Sequence, residues 1–169
     1  MKISMHRLAV EQCAHTLACV SGLLDKGVAH AEAKKFDPSV LVNSRLAPDM
    51  FALARQVQIA SDTVKNGVAR LTGQEAPRFE DTEQTIPELK ARLAKTIDYI
   101  KSIPASAFEG AEDRDVKIPL PNATLEMKGL SYLSGWVLPN CFFHSSMVYA
   151  ILRHNGVDVG KKDFLGAIS

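Results

Sequence analysis

The stretch PNCFFHSSMVYAILRHNGV, residues 139–157, decides how the last part of the chain folds. It opens with a proline, carries no charge before Arg153 and closes just after an Asn-Gly pair. Proline suits the first turn of a helix, and glycine suits the residue that follows its end. The pattern therefore predicts one apolar helix, on which Asn140 and His144 lie a single turn apart on the same inward face.

Two readings of His144 follow from this placement. Residues at i and i+4 on an apolar helix have the spacing of a metal-binding HxxxH pair, but Asn140 stands at the first position. His144 is then either a neutral core histidine bonded to one polar neighbour or a ligand or acid–base residue in a pocket between helices. The sequence alone leaves both readings open.

Bulk composition limits the class of protein. The 169 residues suit one domain, residues 1–169, and 46% apolar with 23% charged residues is typical of a soluble globule. The formal charge is +1 and no basic block is present, so we expect no nucleic-acid partner. We also expect no Walker-type nucleotide site and no HExxH zinc site, because neither motif occurs.

The cysteines and the apolar segments indicate the compartment. The three cysteines, Cys13, Cys19 and Cys141, form no zinc-binding spacing and suit a reducing cytoplasm. Glu11 interrupts the apolar part of the N-terminal segment, so we expect no signal peptide. The uncharged segment 130–152 is long enough to span a membrane, but its serines, Asn140 and His144 favour a buried helix over a membrane span.

Three earlier helices are predicted from apolar residues spaced by three and four. The first runs from Ser4 to Leu24, with a break or bend at residues 25–27 and a shorter helical piece at 28–35. The second begins near Pro48 and ends at Gly73. The third begins at a capping box formed by Thr85 and Glu88.

Residues 115–120 and 124–128 alternate polar with apolar side chains, with Pro121-Asn122 between them. This alternation predicts a small β-hairpin, which must pack on the helices because two strands alone are marginally stable. The fold class is therefore all-α: a four-helix bundle with a hairpin before the last helix.

Three long segments, residues 45–65, 69–100 and 142–166, resemble a bacterial family catalogued only as a domain of unknown function. That family is placed in the DinB/YfiT-like superfamily of proposed metalloenzymes. The resemblance covers nearly the whole chain and implies an up-down-down-up bundle. It also implies a site: superfamily members carry one histidine on the second helix and an HxxxH pair on the last, around a divalent metal.

On this resemblance Gln56, Asn140 and His144 occupy the three metal positions, so the triad is degenerate at two of them. Zinc and nickel favour imidazole and thiolate over amides, so His144 is the only ligand expected if any metal binds. The three side chains predict instead a polar cluster that bonds internally, to water or to a small ligand. Asp49 is either a neighbouring carboxylate or a first-turn acid paired with Arg45.

Two functions remain from the sequence, and it does not decide whether the protein is an enzyme. The first is an uncharacterised bundle with a small-ligand pocket at the degenerate triad, with a metal-dependent small-molecule (thiol) transferase or hydrolase-like enzyme as the alternative. The second is a non-enzymatic bundle that acts through its surface as a homodimer.

Overall fold

The computed structural model describes residues 4–120 and 122–167, and most of these residues are helical. The helices are α1 (Cys13–Lys34), α2 (Ser39–Asn43), α3 (Leu53–Thr72), α4 (Ile86–Ser102), α5 (Gly129–Tyr132), α6 (Leu138–His154) and α7 (Lys161–Leu165). Two strands, β1 (Asp115–Leu120) and β2 (Ala123–Lys128), form one antiparallel hairpin. The prediction of a mostly helical chain with one small hairpin is confirmed.

Helix α1 is continuous where a break was predicted at residues 25–27. A Cβ at Gly27 would lie 3.1 Å from Leu152 Cδ2, so this glycine lets α6 approach closely and does not interrupt the helix. The helix ends instead at Lys35, which adopts a left-handed conformation with φ 60°. A π-helical turn, Arg7–Gln12, leads into α1. The predicted break is wrong, because Gly27 allows a close contact with α6 and does not interrupt the helix.

Helix α3 begins at Leu53, five residues after the predicted start at Pro48. The Leu53 N–H donates to Ser44 O at 2.9 Å, so the residues between form a turn that enters the helix late. Its end at Gly73, with φ 69°, is as predicted. A Cβ at Gly67 would lie 2.8 Å from Val137 Cγ1, so α3 closely approaches the residue just before α6.

Helix α4 has the predicted capping box. The Glu88 N–H donates to Thr85 Oγ1 at 3.3 Å, and the Thr85 N–H donates to Glu88 Oε2 at 2.9 Å. These reciprocal bonds satisfy donors that a helix N-terminus otherwise leaves free. They fix where the connector from α3, residues 73–85, enters α4.

The hairpin pairs Asp115 with Lys128 at its open end and Leu120 with Ala123 at its turn. Val116 and Ile118 are buried, so β1 packs on the helices as expected. Strand β2 begins one residue earlier than predicted. Pro121 of the predicted turn lies outside the described residues.

Helix α6 begins at Leu138 with Pro139 in its first turn, and Gly156 follows its end with φ 84°. A π-helical turn, Leu133–Val137, joins it directly to α5, so residues 129–154 form one helical run. Helix α6 packs on α3 and α1, and α4 packs on the same two helices. Their apolar stripes form one core, and no helix within the described residues has the length and apolarity needed to cross a membrane.

Candidate functional site

Gln56 on α3 and His144 on α6 are in direct contact. Gln56 is 2% exposed, and its Oε1 lies 2.7 Å from His144 Nδ1. Gln56 Nε2 donates to the Phe51 carbonyl at 3.2 Å. Because a carbonyl only accepts, this second bond assigns the amide orientation and makes Oε1 the acceptor. His144 therefore carries its proton on Nδ1 and donates it to Gln56.

The imidazole of His144 is half-buried and neutral near pH 7. Burial, and secondarily the positive charge of Arg55, lower the pKa of His144 below its usual value. With Nδ1 protonated, Nε2 holds a lone pair. Nε2 makes no hydrogen bond to a described residue and is not fully buried, so it reaches solvent. His144 thus presents an open hydrogen-bond acceptor.

Asn140 lies one turn before His144 but makes a separate hydrogen bond. Its Nδ2 donates to the Trp136 carbonyl at 2.7 Å, which leaves Oδ1 as a free acceptor. Within residues 4–120 and 122–167, no hydrogen bond joins Asn140 to Gln56 or His144. The structure therefore brings Gln56 and His144 into contact, whereas Asn140 lies one turn before His144 on α6.

Asp49 lies on an exposed turn before α3, not on the helix. The role as a first-turn acid of α3 is wrong, because the helix begins only at Leu53. The role of Asp49 as a carboxylate neighbouring Gln56 and His144 stays a prediction.

The donor set does not fit the zinc or nickel ion that the superfamily implies. Within the described residues, no three His, Cys, Asp or Glu side chains are grouped closely enough to hold a metal ion. His144 supplies one nitrogen, and the Gln56 oxygen already accepts from that same ring. Zinc and nickel sites need further imidazole, thiolate or carboxylate ligands, so these residues do not form such a site.

Two exposed phenylalanines are linked to the pair, Phe51 through its backbone carbonyl and Phe143 through its ring, and the sequence analysis missed both. Phe51, whose carbonyl holds Gln56, is 57% exposed, and Phe143 is 54% exposed. The Phe143 ring meets the His144 ring edge-on, with centroids 5.2 Å apart. We call Phe51, Gln56, Asn140, Phe143 and His144 the His144 centre. Its surface combines apolar rings with open hydrogen-bond acceptors.

A second polar cluster, also missed, lies between α3 and α4 around Arg92, which is 2% exposed. Arg92 Nη1 donates to Glu83 Oε1 and to the Glu80 carbonyl, both at 3.0 Å. Its Nη2 lies 2.9 Å from both Asp62 Oδ1 and Asp81 Oδ1, as ion pairs. These oxygens belong to α3 and to the connector, so Arg92 fastens the connector to both helices.

Further side chains complete this Arg92 cluster. Lys65, 4% exposed, pairs with Asp62 at 2.9 Å and lies over the Phe79 ring. Gln58 Nε2 donates to Glu83 Oε2 at 2.9 Å. Arg55 pairs with Asp81, which links the cluster to the α3 turn that carries Gln56. The cluster is therefore balanced in charge and continuous with the surroundings of His144.

Two cavities of the described surface lie elsewhere. One of about 390 Å³ lies beside Phe79 and Arg92, and one of about 520 Å³ lies between Met5 and Phe108. Neither is lined by Gln56, Asn140 or His144. The His144 centre does not coincide with either of these two cavities.

Residues 5–165 match the family model of a domain of unknown function, DUF1993. The chain belongs to the DUF1993 family. It is also similar to a DinB family member protein from Shewanella denitrificans, whose crystal structure superposes with a TM-score of 0.89 at 44% sequence identity. The match covers 97% of this chain and 93% of that one. No curated protein matches the chain. The resemblance to an uncharacterised family within the DinB-like superfamily is confirmed.

Proposed function

We propose that this DUF1993 chain is a single domain with an up-down-down-up bundle of α1, α3, α4 and α6. Helix directions support the order. Gln56 meets His144 and Gly67 meets Val137, so α3 and α6 are antiparallel. The π-turn before α1 contacts α4, while Gly27 near the other end of α1 faces the start of α4, so these two are antiparallel as well.

The direction of α6 relative to α1 completes the order of the bundle. Gly27 of α1 meets Leu152 near the end of α6, and the Cys13 thiol near the start of α1 contacts Cys141 near the start of α6. These two helices are therefore parallel. A chain with α1 and α6 in one direction and α3 and α4 in the other has the order proposed.

We infer that the protein binds a small molecule at the His144 centre. The observation that carries this proposal is the 2.7 Å bond from His144 Nδ1 to Gln56 Oε1. It fixes the tautomer and leaves the Nε2 lone pair open on a ring that meets the exposed Phe143 ring edge-on. A ligand would donate a hydrogen bond to Nε2 and lay its apolar part on Phe143.

The test is a fragment screen followed by NMR of the histidine ring signals. Ligands of the His144 centre are expected to shift the His144 Cε1–H signal in a saturable way. His144→Phe removes the acceptor and should abolish binding, whereas His154→Gln alters an exposed histidine in the last turn of α6 and should not. Hits that bind equally well to His144→Phe would contradict the proposal.

The alternative of a metal-dependent thiol transferase or hydrolase-like enzyme has less support, because the donor set lacks the ligands that zinc or nickel requires. Elemental analysis of purified protein separates the two. We expect only traces of zinc and nickel. A full equivalent of either metal that is lost in His144→Ala would favour the enzyme.

A homodimer is a second candidate, favoured by the exposure of Phe51 and Phe143. A two-fold contact brings the same patch of both copies together, so like charges within the patch repel. Residues 129–152 carry no Asp, Glu, Lys or Arg, so the α6 side of the patch adds no such repulsion. Sedimentation should show a dimer that Phe143→Asp dissociates. Val40→Asp, at an exposed valine of α2, is the matched control.

A cytoplasmic location is also proposed. Cys13, Cys19 and Cys141 are all free thiols, which a reducing compartment preserves.

A further inference from the structure

His15 and Cys19, two side chains outside the His144 centre, lie one turn apart on α1. Cys19 Sγ lies 3.6 Å from His15 Nε2. Residues at i and i+4 share one face of a helix, which accounts for the contact. His15 is exposed and Cys19 is partly exposed, whereas Cys13 and Cys141 are buried. An imidazole and a thiol, which are both metal-binding groups, therefore meet where solvent reaches them.

The 3.6 Å separation of Sγ and Nε2 is the distance between two ligands of one tetrahedral metal ion. Zinc binds an imidazole nitrogen at about 2.0–2.1 Å and a thiolate sulfur at about 2.3 Å. At the tetrahedral angle these bond lengths place the two ligand atoms about 3.6 Å apart. His15 and Cys19 therefore have one common position at which a zinc-like ion would contact both, and imidazole and thiolate are the ligands that such an ion prefers.

The end of α7 covers this pair. The Leu165 carbonyl lies 2.7 Å from His15 Nε2, and because a carbonyl only accepts, Nε2 carries the ring proton. A Cβ at Gly166 would lie 2.6 Å from Cys19 Sγ, so the backbone of Gly166 lies directly over the thiol. An ion that binds Nε2 must therefore take the place of the Leu165 carbonyl.

We propose that His15 and Cys19 form a binding site for a divalent metal ion of the zinc class, and that the ion competes with the end of α7 for this site. On binding, the Cys19 thiol releases its proton to solvent and the ring proton of His15 moves to Nδ1. Sγ and Nε2 then each give a lone pair to the ion. Water fills the remaining positions, since no third His, Cys, Asp or Glu of the described residues joins the pair. The site is independent of the His144 centre.

The metal at this site exchanges with the medium. Two protein ligands hold an ion less firmly than the four of a structural zinc site, and the bond from His15 to Leu165 must be broken. Protein purified without added metal would therefore carry only traces at His15 and Cys19. The site is tested by adding a metal ion to the purified chain.

Cadmium is the probe, because it is a soft divalent ion whose bond to thiolate absorbs in the ultraviolet. Titration of the wild-type chain should give a saturable thiolate–cadmium band and shift the NMR signals of the His15 ring but not those of His154. Cys19→Ser should remove the band. His15→Gln should weaken binding at least about tenfold, because the second ligand attaches within the same molecule. His154→Gln, at another exposed histidine, is the matched control.

Asp163→Ala tests the competition with α7 without touching the two ligands. Asp163 pairs with Lys26 of α1 at 2.7 Å and accepts from the Gly160 N–H at 2.8 Å, so its loss should loosen α7. Cadmium should then bind about two- to fivefold more tightly, the range expected for one exposed ion pair. Asp158→Ala removes the same charge from a fully exposed side chain and should leave the affinity unchanged.

Three results would overturn the proposal. A band that persists in Cys19→Ser would place the metal on the buried thiols. Equal affinities of the wild type and His15→Gln, or His15 ring signals that do not move in the wild type, would show that the imidazole is not a ligand. The wild-type NMR result does not depend on how well any variant folds. Unchanged cadmium affinity in Asp163→Ala would contradict the competition with α7.

Discussion

The His144 centre and the Arg92 cluster both join α3 to a neighbouring helix through polar side chains, but they differ in how completely those side chains are paired. Arg92 is buried, and each of its nitrogens faces an oxygen of Ser61, Asp62, the connector or several of these. His144 is half-buried and keeps one nitrogen open. Arg92 Nη2 makes only ion pairs, to Asp62 and Asp81, and no hydrogen bond. A buried charge compensated by opposite charges contributes to holding the fold, whereas a fixed but unpaired acceptor at the surface is available to a ligand.

The largest effect is expected from Arg92→Met, which keeps the side-chain bulk and removes the charge. Asp62, Asp81 and Glu83 would lose their common partner, and breaking a buried ion pair on one side costs about 3–5 kcal/mol. Urea unfolding followed by circular dichroism measures the loss. Arg78→Met is the control, because the Arg78 side chain is 90% exposed and should contribute almost nothing. A similar stability for both variants would show that the cluster is dispensable.

Gln56→Leu should have a smaller effect, on the order of 1–3 kcal/mol, because it strands the His144 Nδ1–H and the Phe51 carbonyl in a partly buried place. The same unfolding assay applies. Gln74→Leu, at an exposed glutamine of the connector, is the matched control. Gln56→Leu should also free His144 to adopt either neutral tautomer, which the ¹⁵N shifts of its ring would show. Unchanged ring shifts would mean that Gln56 does not fix the proton.

Acid should weaken the fold through His144 by a still smaller amount. Its pKa is lowered in the folded state, so the unfolded chain takes up the proton first as the pH falls. The stability is therefore fully present above the usual histidine value, about 6.5, and is lost as the pH falls from there through the lowered folded value. Urea unfolding at a series of pH values should show a shallower acid loss in His144→Phe. His154→Gln should keep the wild-type dependence.

The smallest effect is expected from Arg55→Gln. Removing this positive charge should raise the pKa of His144, but only slightly, since burial is the larger cause of the lowering and the Arg55 side chain is 42% exposed. NMR titration of the His144 ring measures the change. Arg45→Gln, at an exposed residue, is the control. A lower pKa of His144 in Arg55→Gln than in the wild type would contradict the role assigned to the Arg55 charge.

Much of the fold could be predicted because each long helix carries one apolar stripe and each end carries a local signal. Thr85 and Glu88 gave the start of α4, and Gly73 and Gly156 gave two ends. Gly27 misled because glycine breaks helices in isolation but here allows a close helix contact. Such a use depends on Leu152, more than a hundred residues away, and no local pattern reveals it.

The His144 centre and the Arg92 cluster also differ in how far the sequence predicted them. Gln56 and His144 were placed together by resemblance to a family pattern, and they touch. The Arg92 cluster draws its partners from α3 and from a connector without periodicity, so spacing alone did not indicate it. One signal was available: Arg92 lies on the buried face of α4 beside Leu89 and Thr96, where a charge requires partners, and the acidic run 80–83 could supply them.

Gly67 lies outside the His144 centre, at a close contact between α3 and the turn that leads into α6. Because a methyl group at this position would press on Val137, an alanine would act as a wedge between α3 and α6. Val137 is only three residues, about 4.5 Å of helix rise, before Asn140. An alanine at position 67 therefore shifts Asn140 and His144 relative to Gln56 without changing any side chain of the His144 centre.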